Sequence, residues 1–143
     1  MRRLVDSLEM NVALFAVLLN LPWELAQVPL FIGMPTAEHW SALKVCGRAT
    51  AGDAVIALVG FWAVAATART REWIIRPTVL QVSGFVAVGV TITIVMEWLA
   101  VRVLDRWTYA QTMPTILGIG AAPLAQWIGL PPLIVWFVRR QLT

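Results

Sequence analysis

Apolar residues run along this chain in four long blocks, and polar residues collect in the gaps between them. The blocks cover about residues 10–32, 52–68, 79–101 and 115–138. Apolar positions follow one another inside them without a two-residue period, as in the run from Val55 through Ile56, Ala57, Leu58, Val59, Gly60, Phe61 and Trp62. A membrane-barrel strand alternates lipid-facing and lumen-facing side chains, so this run predicts a helix and excludes a barrel. A hydrocarbon core takes about 20 helical residues to cross, and backbone groups inside it must be satisfied within the segment. The pattern predicts an all-α transmembrane four-helix bundle, folded as a single integral membrane domain over residues 1–143.

The gaps and breakers refine that picture. Pro22 and Pro29 in the first block, and Pro131 with Pro132 in the fourth, each remove a backbone donor and crowd a carbonyl one turn back. Kinked helices are therefore expected. Ala37, Trp40, Leu43 and Lys44 recur at helical spacing in the first connection, which predicts a short interfacial helix there. The second connection, residues 69–77, is short and makes blocks two and three a hairpin. The third holds Trp107 and Tyr109, residue types favoured at the headgroup level. Gly118 and Gly120 allow close backbone approach. Ala121, Ala125 and Gly129 repeat every four residues as a small-residue packing face.

Only 13% of the residues are charged, about half the usual share of a soluble domain, near 25%. The eleven Lys and Arg sit mainly at block ends, so the net charge of +3 is a membrane-flank signature and no nucleic-acid signal. Seven fall on one side: Arg2, Arg3, Arg69, Arg71, Arg76, Arg139 and Arg140. Four fall on the other: Lys44, Arg48, Arg102 and Arg106. The positive-inside rule then puts both termini in the cytoplasm of a multi-pass cell-membrane (bacterial inner-membrane) protein. Arg2 and Arg3 followed by an apolar run resemble a signal peptide, but no small-x-small cleavage site follows, and the block reads as a retained span.

With that orientation the candidate chemistry gathers in the outer half. Asn20, Glu24 and Gln27 are spaced i, i+4, i+7 and share one helix face. A buried carboxylate in a span costs about 2.5–3.5 kcal/mol on insertion scales, so that face turns into the bundle. Glu97, with Thr93 one turn before it, is the second acid; opposed carboxylates suit cation binding or proton transfer. The bland alternatives are helix-gluing polar contacts for the first set and an interfacial carboxylate, paired with Arg102 or Arg106, for Glu97. Asp53 has a capping reading: Thr50-x-x-Asp53 matches a capping box at the start of the second span. Gln126 falls midway along the fourth span.

The expectation is a pocket of Asn20, Glu24, Gln27, Glu97 and Gln126, with Asp53, Trp107 and Tyr109 near its rim. Glu24 is its central charge. His39, Cys46, Glu38 and Asp53 follow no metal-ligand spacing, so no metal site is assigned. The cofactor is undetermined. No phosphate loop, G-x-S-x-G, H-E-x-x-H or C-x-x-C occurs.

The motifs Trp23-Glu24-x-x-Gln27-x-Pro29, Gly52-Asp53, Glu97-Trp98, Trp107-x-Tyr109-x-x-x-Met113-Pro114 and Pro123-x-x-Gln126-Trp127 span nearly the whole chain. On them the chain resembles a group of small, uncharacterised bacterial four-span membrane proteins. The resemblance implies the four-span architecture and brings no activity or cofactor. The residues themselves point to binding or transport of a small polar, cationic or lipid-headgroup ligand. An accessory subunit of a larger membrane complex and an intramembrane enzyme using Glu24 and Glu97 remain open. Membrane lipid is the expected partner, with a homo-oligomer or larger complex as further possibilities.

Overall fold

The computed structural model describes residues 6–143; Arg2 and Arg3 of the orientation argument lie outside them. Four long helices pack against one another: α1 (Leu8–Gln27), α2 (His39–Ala68), α3 (Val79–Trp98) and α4 (Ala121–Leu142). α1 lies between α2 and α4, and α3 closes the ring between the same two helices. All four are long and apolar enough to cross a membrane. The protein is an all-α bundle of membrane-spanning helices.

Local chemistry sets the helix ends. Ser7 caps α1 by accepting the Met10 amide. Pro22 lies inside α1. Pro29 does not act as an internal kink, because the α-helix ends at Gln27 and residues Val28–Leu30 form one 3₁₀ turn. Thr78 and Gln81 form a reciprocal capping box on α3. Its far end loosens into a π-turn over Leu99–Val103.

The start of α2 differs from the sequence reading. Glu38 is the cap: its carboxylate accepts the Trp40 and Ser41 amides, both at 3.0 Å. Those bonds hold its acid below the usual carboxylate range. Thr50 caps nothing; its hydroxyl donates to the Cys46 carbonyl at 2.8 Å, one turn back within a continuous helix. Asp53 is therefore mid-helix, and the capping reading of Asp53 is corrected. Residues expected as a separate interfacial helix are instead the first turns of α2. At about 1.5 Å per residue a 30-residue helix reaches about 45 Å, well beyond a core near 30 Å. Its first turns thus extend toward the headgroup layer.

The fourth span also starts later than expected. Residues 115–120 form a small hairpin, with β1 (Thr115–Ile116) antiparallel to β2 (Ile119–Gly120). Leu117 and Gly118 turn it with φ of 52° and 83°, the signs a type I′ turn requires. The Ala125 and Gly129 stripe is exposed rather than packed. α4 buries Pro123, Gln126, Trp127, Leu130 and Ile134 instead.

The two ends of the bundle are chemically distinct. Toward the second connection the core is aromatic. Trp73 packs on Phe61 and Phe85 with ring centroids 5.9 and 5.8 Å apart, and its indole donates to the Phe61 carbonyl at 3.2 Å. Lipid is as apolar as these side chains, so close packing holds this end more than water exclusion does. Gly60 contributes by letting the Phe85 ring lie against the α2 backbone. The other end carries the polar side chains.

Candidate functional site

Asn20, Glu24 and Gln27 on α1, Asp53 on α2, and Gln126 on α4 meet in one hydrogen-bonded group. The Gln126 side-chain amide is its hub. It donates toward Asn20 Oδ1 at 2.7 Å, Glu24 Oε1 at 3.0 Å and Asp53 Oδ2 at 3.1 Å. Three acceptors compete for the two protons of one NH₂ group. Gln27 donates to the other Glu24 oxygen at 2.9 Å. Asn20, only 1% exposed, sits behind Gln126 and ties back to the Ala16 carbonyl at 2.8 Å. Trp127 lines the same cavity beside Asp53. Its ring lies directly against the Gly89 backbone of α3, where no Cβ fits. That close approach brings α3 and α4 together beside the polar group.

Glu97, on α3, is held from above by the third connection. Tyr109 donates to Glu97 Oε2 at 2.5 Å and Trp107 donates to the same oxygen at 3.4 Å. The connection is pinned in turn. Ile32 donates to Thr108 and Ala110 donates to Leu30, both at 2.9 Å, so Phe31 and Tyr109 pair as an isolated antiparallel bridge. Their rings also meet, 5.8 Å apart. The Tyr109 ring lies close to Gly120, where an added Cβ would stand 3.0 Å from it. Burial, then the bond to Glu97, raises the Tyr109 hydroxyl above the ordinary tyrosine range. It therefore stays a donor at all physiological pH.

A cavity of about 600 Å³ joins these parts. Glu24, Asp53, Glu97, Gln27 and Gln126 all reach its wall. Asn20 and Tyr109 support that wall from behind rather than line it. Asp53 stands in the wall beside Gln126, deeper than the rim position the sequence suggested. Trp107 is at the mouth, 36% exposed. Phe31, Met34, Met96 and Trp127 make the rest of the surface apolar and aromatic. Two buried polar atoms in lining residues, Gln27 Oε1 and Thr93 Oγ1, have no hydrogen-bond partner among the described residues.

Comparison with protein-family models, with curated proteins and with solved structures returned no match.

Sequence reasoning missed Arg48 and Arg106 as lining residues. Both sit outside the apolar blocks, where basic residues read as membrane flanks. Thr93 was legible from its i, i+4 relation to Glu97. The metal candidates separate. Glu38 is spent on capping, His39 is exposed, and Cys46 is buried against the Glu24 carbonyl at 3.8 Å. Among the described residues no group of three His, Cys, Asp or Glu is arranged to hold a metal.

Acceptors prevail at the inner wall of the cavity, around Glu24, Asp53 and Gln126, while Arg48 and Arg106 line its exposed part. Its amide, indole and phenol donors are spent on carboxylates, while Gln27 Oε1 and further carboxylate lone pairs stay available. Among the described residues the one ion pair is Arg71 with Glu9, at the opposite end of the bundle. Among the described residues Glu24, Asp53 and Glu97 have no ion-pair partner.

Proposed function

We propose that this membrane protein binds, or carries, a small organic cation with an apolar body, held by Glu24 and Asp53. The observation that carries the reading is the acceptor surplus at the inner wall: among the described residues Glu24 and Asp53 have no ion-pair partner there and the buried Gln27 oxygen beside them has no hydrogen-bond donor. An ammonium group supplies three donors and no acceptor, and its charge offsets the acids. Trp107 and Trp127 add aromatic faces, which attract cations by about 0.5–2 kcal/mol according to solvation. Glu97, fixed by Tyr109 and Trp107, sets the field at the entrance. A subunit that uses its polar groups only as glue needs a sealed network, so a cavity of about 600 Å³ favours the binding reading. The excess of basic residues on the termini side supports cytoplasmic termini, with the cavity opening toward the outer leaflet.

Calorimetric titration with n-butylammonium tests this on the full chain in detergent micelles. Saturable binding is expected, and Glu24→Gln should weaken it at least tenfold while the helical signal is kept. Equal affinity in the two proteins would reject the reading.

A further inference from the structure

The cavity carries charge of both signs at different depths. Glu24 and Asp53 stand at its inner wall beside Gln126, and Asp53 is only 8% exposed. Arg48 and Arg106 line the same cavity but are exposed. Arg48 lies five residues before Asp53 on α2, which is about 7.5 Å of helix rise nearer the loop end. Arg106 is anchored at that end by its backbone amide, which donates to the Ala100 carbonyl at 2.8 Å. Neither arginine has an ion-pair partner among the described residues, although three carboxylates share the cavity with them. The basic and acidic groups are therefore displayed apart rather than cancelled against each other.

Resting on the cation-binding reading above, we infer that the ligand is a zwitterion: an ammonium group held at Glu24 and Asp53, joined by a short chain to a carboxylate or phosphate held by Arg48 and Arg106. Arg is suited to the outer role because its planar donor fork matches either anion with two parallel bonds. The inner role excludes an anion, since the acids there repel it. The rise of about 7.5 Å along α2 between Arg48 and Asp53 fits a chain of a few methylenes. Free amino acids with a terminal amine and a lipid headgroup of the phosphoethanolamine type share this chemistry.

The experiment compares n-butylammonium with 4-aminobutyrate, which has a similar length and carries a carboxylate in place of the terminal methyl group. Both are titrated into the full chain in phosphatidylglycerol nanodiscs. The wild type should bind 4-aminobutyrate about tenfold tighter, equivalent to ~1.4 kcal/mol. Arg48→Gln/Arg106→Gln should erase that gain while n-butylammonium still binds at least as tightly as to wild type, since two like charges are removed from its cavity; both substituted positions are exposed, so the bundle should fold. Glu24→Gln should weaken both ligands. Repeating the titration in phosphatidylethanolamine nanodiscs separates the sources. Loss of 4-aminobutyrate binding there supports the inference with the lipid headgroup as ligand, and unchanged binding supports it with a soluble one. If the two probes bind the wild type equally and phosphatidylethanolamine does not compete with either, the zwitterion inference falls while the cation site stands. If neither probe binds in either lipid, both fall.

Discussion

Replacing Gln126 by Leu removes the hub of the polar group with little change of volume, and the structure sets the size of the effect. The amide nitrogen reaches three acceptors but has two protons, so two bonds at a time are lost. Side-chain hydrogen bonds between membrane helices average about 0.6 kcal/mol and reach about 1.7. Glu24 and Asp53 face the cavity, where water can replace the lost donor, so the average value applies to them. Asn20 is different: at 1% exposure its Oδ1 has no replacement, and an orphaned buried acceptor costs about 1–3 kcal/mol. One such bond plus the orphaned acceptor gives a destabilisation of about 1.6–3.6 kcal/mol. Unfolding by sodium dodecyl sulfate in mixed micelles, followed by tryptophan fluorescence, measures it. The double variant Asn20→Leu/Gln126→Leu removes the orphan together with its donor, so its cost should fall short of the two single costs added. A Gln126→Leu protein within about 0.5 kcal/mol of wild type, or strict additivity in the cycle, would refute the hub.

Three further predictions use other parts of the molecule. Tyr109 is the single tyrosine, so tyrosinate absorbance reports it alone: it should titrate above the ordinary value of 10.0 and move back toward it in Glu97→Gln. The folded state favours the neutral phenol, so the stability it contributes is complete below about pH 10 and is lost as pH rises through the higher folded value; an ordinary titration in wild type contradicts this. Gly89→Ala sets a methyl group into the Trp127 ring and should cost about 1–3 kcal/mol by overpacking, read from the same detergent unfolding curves; an unchanged midpoint would show that the two helices are not in close contact. Arg71→Ala should change stability by less than about 0.5 kcal/mol, because its pair with Glu9 is largely exposed at the arginine and such pairs are worth little; a loss above about 1 kcal/mol would contradict that.

The parts of the fold set by lipid were legible in the sequence. Four charge-poor runs mark four helices because a bilayer admits no other arrangement of such runs. The face shared by Asn20, Glu24 and Gln27 was legible for the same reason, as those side chains have nowhere else to go. What local pattern alone suggested fared worse. Thr50 and Asp53 mimic a capping box, yet both sit inside α2, where a backbone carbonyl and the amide of a distant helix take up their polar atoms. The true cap, Glu38, lies in the first connection, where helical spacing suggested a short separate helix rather than the start of the span. The small-residue stripe of α4 fits either face of a helix by spacing, and packing chose the other face. Arg48 and Arg106 entered the cavity through tertiary contacts that no spacing encodes. So did the bridge between Phe31 and Tyr109, which joins two connections far apart in sequence.

Everything proposed for function depends on an ammonium sitting between Glu24 and Asp53. Solid-state NMR of the chain in lipid, with carbon-labelled carboxyl groups and nitrogen-labelled n-butylammonium, measures that contact directly. Magnetisation should pass from the ligand nitrogen to the side-chain carboxyl carbons of Glu24 and Asp53, and those transfers should vanish in Glu24→Gln. Transfer only to lipid, or to the carboxyl groups of Glu38 and Asp105 at the surface, would contradict the account.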